Sequence, residues 1–264
     1  MKKLGLVLGS GGGRGFAHIG VLKALQKYDI RPGYIIGSSV GALVGAMFCR
    51  FGDAKKVEQI FIDFNWKEFS SLLSFRVKEG VLLSEKLEKK LNTYFKKCSF
   101  EDLDIPFEAV ATDFATAEPY YFNKGFLAQA VHASIAVPLL IEPLKKKGRI
   151  FWDGGLSEPL PAARAKKKAD IVLAVSLDKY PQPANKNKRL DFYQKAGRAI
   201  RALEYHLANH CAKEADILLE PDVEEEGIVN ISTFFKKDKG QSIIAEGEKA
   251  AIRKIKTIKE KIFA

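Results

Sequence analysis

Tyr34-Ile35-Ile36-Gly37-Ser38-Ser39-Val40-Gly41-Ala42-Leu43-Val44-Gly45 places a Gly-x-Ser-x-Gly pentapeptide between an apolar run and an Ala/Leu/Val-rich segment. This order predicts a strand, a sharp turn at Ser39 and a helix, which is the layout of a nucleophile elbow. The turn holds the serine in a sparsely populated backbone conformation, and Gly37 and Gly41 allow strand and helix to close around it. Because Gly and Ser are common residues, the pentapeptide needs support from the rest of the chain.

A second glycine-rich turn, residues 9–15, precedes the elbow. It follows an apolar run at residues 4–8 that is typical of a buried parallel strand, and a helix is predicted over residues 16–28. The turn does not fit the dinucleotide pattern Gly-x-Gly-x-x-Gly, and Gly15 is followed by Phe16 instead of the Lys of a Walker loop. Two interpretations remain. One is a set of N–H donors for a transient anion, an oxyanion hole, and the less favoured one is a flexible turn.

Strand and helix patterns alternate along the rest of the chain. Further strands are predicted at residues 107–112, 119–122, 149–152, 171–177 and 217–219, and further helices at 40–50, 84–95, 126–135, 190–214 and 243–263. The alternation predicts an α/β fold, a three-layer α/β/α sandwich with a mostly parallel central sheet. We expect residues 1–264 to form a single domain, in which the residues after about 180 make a Lys-rich helical part.

Residues 54–83 give a less clear pattern than the rest of the chain. The aromatic and apolar stretch at residues 64–75 has no regular hydrophobic periodicity and is interpreted as an irregular packed region, and a lid or lipid-facing surface is the alternative. In the last predicted helix, by contrast, an apolar stripe at Ile252, Ile255, Ile258 and Ile262 favours packing on the core over insertion into lipid.

The composition limits the compartment and the partners. The three cysteines, Cys49, Cys98 and Cys211, are widely spaced without a Cys-x-x-Cys pair, which indicates reduced thiols and neither disulfides nor a zinc site. No stretch approaches the roughly 20 apolar residues of a membrane span. We expect a cytoplasmic protein, able to contact the inner face of the membrane peripherally. The net charge of +11 favours an anionic partner, which is nucleic acid, an acidic ligand or a membrane surface.

A serine nucleophile requires a base, and the four histidines are poorly placed to provide one. None of His18, His132, His206 and His210 follows a strand late in the chain, where a triad histidine is expected. The i, i+4 spacing of His206 and His210 is a weak metal signal. It lacks the acidic residue of a His-Glu-x-x-His pattern, and we expect no metal.

Asp153 is the preferred base. It ends an apolar strand and is followed by two glycines, so that its carboxylate can lie at the sheet edge beside Ser39 with backbone close around it. Partial desolvation there would raise the pKa of the carboxyl and make it a stronger base. The alternative is that Asp153-Gly154 is simply a turn. Asp113, which also ends a predicted strand, is the second candidate.

Three motifs in this order resemble those of bacterial patatin-like phospholipases, which are serine lipid acyl hydrolases with a Ser-Asp dyad. Residues 11–15 resemble the glycine-rich oxyanion loop of that family, residues 37–41 its elbow, and Asp153-Gly154-Gly155 its acid motif. Ala111-Thr112-Asp113 and residues 133–138 resemble further blocks of the bacterial members. The resemblance runs from residue 4 to about residue 175 and is weak beyond it.

The resemblance implies a patatin-like fold and an esterase or lipase acting on phospholipid or lysophospholipid. It implies Ser39 as the nucleophile, Asp153 as the general base and no cofactor, and we expect the oxyanion hole to be formed by the N–H groups of Gly11, Gly12, Gly13 and Arg14. We expect a lipid or ester substrate and no nucleic acid. Basic segments at residues 145–149 and 166–168 would either attract an anionic membrane or be plain solvated surface.

Two other classes of protein stay open at this point. One is a phosphate- or nucleotide-binding protein that uses the glycine-rich loop at residues 9–15. The other is a non-enzymatic module at a membrane surface.

Overall fold

In the computed structural model, residues 1–63, 84–138, 140–178, 192–223 and 237–264 are described. Their strands are β1 (Leu4–Leu8), β2 (Tyr34–Ser38), β3 (Phe107–Asp113), β4 (Pro119–Phe122), β5 (Leu144–Lys146), β6 (Arg149–Asp153), β7 (Ile171–Val175) and β8 (Ile217–Leu219). Their helices are α1 (Phe16–Lys27), α2 (Val40–Phe51), α3 (Ala54–Asp63), α4 (Ser84–Phe95), α5 (Leu127–Ser134), α6 (Ala162–Lys166), α7 (Phe192–Ala212) and α8 (Lys237–Phe263).

The strands form one sheet. Strands that are neighbours in the path β5-β6-β3-β2-β1-β7-β8 are hydrogen-bonded to each other, and β4 also pairs with β3. The pairings between neighbours in the run β3-β2-β1-β7-β8 are all parallel, as expected where helices connect successive strands. The pairings of β3 with β4, β3 with β6 and β5 with β6 are antiparallel. The predicted parallel sheet is therefore correct for its centre, and antiparallel strands extend it at the β3 end.

Strands β2 and β6 lie end to end along the same edge of β3. Strand β2 pairs with residues 107–110 of β3 and β6 pairs with residues 111–113, while β4 pairs with residues 109–112. Because β4 overlaps both of the other pairings, it occupies the opposite edge of β3, which leaves one edge to β2 and β6. The C-terminal residues of these two strands consequently meet at the middle of β3.

Helices cover both faces of the sheet, which gives the predicted three-layer α/β/α architecture. The larger core contains buried residues of α1, α2, α3, α4, α5 and α8, and the smaller core is covered by α6 and the end of α7. The two cores lie on opposite faces of the sheet. Successive side chains of β1 alternate between them, because Leu6 and Leu8 belong to the larger core and Val7 to the smaller one.

The C-terminal helix α8 packs directly on α1 through glycines. A Cβ atom at Gly20 would lie 1.9 Å from the carbonyl oxygen of Ile244, and one at Gly247 would lie 2.0 Å from that of Ala17. The two helix backbones therefore touch. The apolar stripe of α8 faces the core at Ile258, which is fully buried. Ile255 and Ile262 also pack on the core, and Ile252 is exposed.

Four elements differ from the sequence prediction. Helix α3 lies within residues 54–83, where neither a helix nor a strand was predicted before residue 84, and its Val57 and Phe61 are buried. Helix α8 begins at Lys237, six residues before the predicted start, in a polar stretch where Gly240 lies against the ring of Phe16. Strand β5 and helix α6 are too short for their periodicity to be recognised. The aromatic residues 64–75 and Leu190 lie outside the described residues.

Candidate active site

Ser39 lies at the turn between β2 and α2, with φ 54° and ψ −126°. A positive φ is uncommon for a residue with a side chain and stores local strain, which is characteristic of a nucleophile elbow. The side chain is 7% exposed, so the hydroxyl sits in a largely desolvated place. Its backbone N–H donates a 3.0 Å hydrogen bond to Oγ of Ser134, at the end of α5.

The two elbow glycines are positions where backbones nearly touch. A Cβ atom at Gly37 would lie 2.4 Å from the backbone carbonyl of Gly41, and a Cβ at Gly41 would lie 2.0 Å from the carbonyl oxygen of Leu8. Real Cβ atoms are not found at such distances from other atoms, so any side chain would force the elbow away from β1.

Asp153, at the end of β6, is in direct contact with the serine. Oγ of Ser39 donates a 2.6 Å hydrogen bond to Oδ2 of Asp153, and the N–H of Gly155 donates a 2.7 Å bond to Oδ1. The backbone carbonyl of Asp153 accepts a bond of 2.7 Å from Oγ1 of Thr112. The carboxylate is thus fixed at both oxygens and is itself almost fully buried.

Burial raises the pKa of Asp153 to about 8, and the negative charge of Glu204 adds to this effect. The hydrogen bonds from Ser39 and Gly155 act in the opposite direction, because they favour the ionised carboxylate, and the charge of Asp178 raises the pKa further. A carboxyl with such a pKa exchanges protons near neutral pH, which is the range in which a general base is most effective.

Asp113, the second candidate base, is occupied elsewhere. Arg149 contacts its Oδ2 at 2.7 Å, and the N–H groups of Ala115 and Thr116 donate to Oδ1. The guanidinium of Arg149 is the main reason that the pKa of Asp113 lies below its ordinary value. Asp113 therefore ends its strand in a structural ion pair.

The histidines do not reach the serine. Nε2 of His18 is 2.8 Å from the carbonyl oxygen of Gly9, and burial lowers its pKa to about 4. Nε2 of His132 is 3.1 Å from the carbonyl oxygen of Glu142, and His206 and His210 are exposed on α7. Within the described ranges, no histidine forms a hydrogen bond with Ser39, and no group of three or more His, Cys, Asp or Glu residues is arranged to hold a metal.

The glycine-rich loop ends in a single turn of 3₁₀-helix, Gly12–Gly15. Gly12 has φ +57° and is exposed, with no atom within 4 Å of the position of a Cβ. The N–H of Arg14 donates to the carbonyl of Gly11 at 3.3 Å, and its Nε donates to the same oxygen at 3.1 Å. In the part of the chain that the structure describes, the N–H groups of Gly11, Gly12 and Gly13 have no acceptor, whereas that of Arg14 is bonded to Gly11. The three glycine donors are accordingly available to an anion.

Several residues of the site carry no recognisable sequence signal. Ser134 and Thr112 lie in the two additional blocks of the resemblance, but only the structure assigns them contacts, to Ser39 and Asp153 respectively. Arg201 of α7 contacts Asp178, and the charge of Glu204 acts on Asp153, but in the sequence both look like ordinary charged residues of an amphipathic helix.

Among the helices of the described residues, none combines the length and the apolar character that crossing a bilayer requires.

The sequence of this chain is similar to those of known proteins. An uncharacterized NTE family protein of Mycobacterium tuberculosis is 38% identical over 180 residues, which are 67% of this chain and 49% of that protein. The lysophospholipase NTE1 of Coccidioides immitis is 30% identical over 191 residues, which are 67% of this chain and 12% of that protein. The chain thus spans about half or less of the length of these relatives.

Among solved structures, VipD from Legionella pneumophila aligns with 92% of this chain and 66% of its own, at 14% identity and a TM-score of 0.47. The patatin-like phospholipase family matches residues 6–166, a span that includes the glycine-rich loop, the elbow and Asp153 and that exceeds half of the 264 residues. The chain therefore belongs to the patatin-like phospholipase family.

Proposed function

We propose that this protein is a serine hydrolase that cleaves acyl ester bonds of lipids, with Ser39 as nucleophile and Asp153 as general base. The observation that carries the proposal is the 2.6 Å hydrogen bond from Oγ of Ser39 to Oδ2 of Asp153, made by a serine with φ 54°. Nucleophile and base within hydrogen-bond reach, with the base fixed by a third group, are the signature of nucleophilic catalysis. The third group is the N–H of Gly155.

In the first step, Oγ of Ser39 attacks the ester carbonyl while its proton passes to Asp153. The electron pair of the C=O bond moves to the oxygen, and the N–H groups of the loop stabilise this oxyanion. Gly11, Gly12 and Gly13 supply the available donors, and Arg14 holds the turn in shape through its bonds to the carbonyl of Gly11. The intermediate then collapses, the C–O bond to the leaving alcohol breaks, and the alcohol takes the proton from Asp153.

In the second step, water attacks the acyl-enzyme. Asp153 accepts a proton from the water, the oxyanion forms again at the same loop, and the bond between the acyl carbon and Oγ of Ser39 breaks. Ser39 recovers its proton from Asp153, and the fatty acid leaves. Every proton in the cycle is transferred between the substrate, water and these two residues.

Phospholipid or lysophospholipid is the proposed substrate class. Family membership and the relative named as a lysophospholipase support this choice, although the alignment covers only 12% of that relative. The oxyanion loop is also open to solvent at Gly12, as the approach of a large substrate requires.

Peripheral contact with an anionic membrane is part of the proposal. The side chains of Lys145 in β5 and of Lys147 in the turn between β5 and β6 are exposed, and β6 runs from that turn to Asp153. Phe114 is exposed nearby. Its ring packs edge-on against that of Trp152, with 4.6 Å between the ring centroids. Each well-placed cation adds about 1 kcal/mol of attraction to anionic lipid.

Co-sedimentation with phosphatidylserine-containing and with purely zwitterionic vesicles tests this contact. The double variant Lys145→Gln/Lys147→Gln should lose the preference for anionic vesicles. The matched control is Lys167→Gln/Lys168→Gln, because these exposed residues precede β7 at the other end of the parallel strands. Equal binding by both double variants and the wild type would rule out this surface.

The hydrolase proposal is tested by labelling with a fluorophosphonate followed by mass spectrometry. We expect a covalent adduct on Ser39 in the wild type and none in Ser39→Ala. Ser38→Ala is the matched control, because the hydroxyl of Ser38 is buried and has no hydrogen-bond partner among the described residues. An unlabelled Ser39 in the folded wild type would refute the proposal and favour a ligand-binding or non-enzymatic role.

A further inference from the structure

A buried carboxylate connects the glycine-rich loop to helix α7. Asp178, which follows β7, accepts a hydrogen bond from Oγ of Ser10 at 3.1 Å, and Nη2 of Arg14 lies 3.4 Å from its Oδ1. Nη2 of Arg201, on α7, lies 2.9 Å from the same oxygen. Asp178 is 8% exposed as a residue, and two cations from different parts of the chain meet on it.

The second terminal nitrogen of Arg201 contacts Glu204, a neighbour of Asp153. Nη1 of Arg201 lies 2.7 Å from Oε2 of Glu204. A Cβ atom at Gly155 would lie 2.8 Å from Oε1 of Glu204 and 3.0 Å from Oδ1 of Asp153, so the two carboxylates flank the same glycine. One arginine of α7 thus contacts both the support of the loop and the acidic neighbour of Asp153.

This arrangement is costly to interrupt. Removal of one partner of a buried ion pair leaves the other charge uncompensated, so the remaining groups must move or change protonation. Arg201 and Glu204 also lie outside residues 6–166, the part of the chain that matches the family. Their contacts are therefore contributions of the C-terminal region to the site.

We propose that Arg201 and Glu204 are positioning residues for the Ser39–Asp153 reaction: Arg201 holds the glycine-rich loop through Asp178, and Glu204 maintains a negative charge beside the base. The inference rests on the proposed function and deepens it. Loss of the Arg201 guanidinium removes one of the two cations that hold Asp178 and loosens the loop that is proposed to stabilise the oxyanion. Loss of the Glu204 charge changes the proton affinity of Asp153 without removing a loop contact.

The direction of the second effect follows from the groups that face Asp153. Ser39 and Gly155 donate hydrogen bonds to it, and the negative charges of Glu204 and Asp178 oppose its ionisation. The charge of Asp178 is balanced by Arg14 and Arg201. Replacement of Glu204 by Gln removes a repulsive charge, so the pKa of Asp153 falls and the acid limb of the pH–rate profile moves to lower pH.

The experiment measures kcat and KM of the full chain for a p-nitrophenyl ester as a function of pH. We expect Arg201→Met to lower kcat by about 10²-fold with little change in KM, because the loop acts on the transition state. We expect Glu204→Gln to move the acid limb to lower pH. Lys195→Met, which removes an exposed cation from the same helix, is the control and should match the wild type.

The outcomes separate the two proposals. If the wild type is not labelled at Ser39, the hydrolase proposal fails. Two results would overturn only the present inference when the wild type is labelled. One is a folded Arg201→Met that retains the wild-type kcat, and the other is a Glu204→Gln whose pH–rate profile has its acid limb at the wild-type pH. Should circular dichroism show that Arg201→Met does not fold, the position of the limb in Glu204→Gln decides alone.

Discussion

Ser38 and Asp153 pair with consecutive residues of one strand, Val110 and Ala111 of β3. This shared edge is the reason that Ser39 and Asp153, 114 positions apart in the sequence, come within hydrogen-bond distance. The short antiparallel strand β6 fills the edge that β2 leaves vacant and delivers its last residue to the elbow. Backbone pairing with β3 thus places Asp153 beside Ser38, the residue that precedes Ser39.

The two candidate carboxylates should respond differently to the same substitution. Asp153→Asn removes the group that is proposed to accept the proton of Ser39, and we expect the proposed esterase activity to fall by at least about 10²-fold. Asp113→Asn weakens the ion pair with Arg149 and should lower the melting temperature while kcat stays near the wild-type value. Steady-state kinetics and thermal unfolding of both variants test this assignment. Loss of activity in a folded Asp113→Asn with retention in Asp153→Asn would reverse it.

The pH dependence should report the unusual pKa of the base. As the proposed base, Asp153 must be ionised to accept a proton, and its pKa is raised to about 8 by burial and by Glu204. We therefore expect kcat/KM to increase through about pH 8 and to fall about tenfold per pH unit below it. A profile measured with an uncharged ester between about pH 5 and 10 is the check. Activity that stays constant down to about pH 5 would indicate a carboxylate with an ordinary pKa.

Gly41 should not tolerate even one added methyl group. In Gly41→Ala the new Cβ would lie 2.0 Å from the carbonyl oxygen of Leu8, which forces α2 away from β1. We expect the free energy of unfolding to fall by about 3 kcal/mol or more and labelling of Ser39 to be lost. Gly52→Ala, at φ +67° with open space around it, is the comparison and should cost about 1 kcal/mol. Equal effects of the two substitutions in denaturant titrations would contradict this account.

The crossing of α1 and α8 predicts that the C-terminal helix is integral to the fold. Alanine is favoured over glycine in a helix by about 1 kcal/mol, so Gly240→Ala, beside the ring of Phe16, should be tolerated. Gly247→Ala should destabilise instead, because its Cβ would lie 2.0 Å from the carbonyl oxygen of Ala17. We expect one cooperative unfolding transition that moves to lower temperature. An unchanged main transition in Gly247→Ala would show that α8 folds separately.

The local features were predictable because they depend on neighbouring residues. The apolar runs, the glycine spacing around Ser39 and the helical periods act over a few residues, and they led to the correct family and the three-layer fold. The prediction missed elements that are very short, such as β5, and residues that are polar, such as those at the start of α8. There, packing against distant parts of the chain determines the conformation, and no window of sequence contains that information.

The sequence by itself determined the position of the elbow, because only glycine at residues 37 and 41 permits the close approach around Ser39. It favoured Asp153 over Asp113 as the base, although both end strands. The tertiary structure adds the difference in their surroundings, by placing Arg149 on Asp113 and the end of β6 beside Ser39. It also brings Glu204 and Asp178 to the buried carboxyl. Burial and charge arise from contacts between distant segments, so the pKa of Asp153 belongs to the fold and not to any motif.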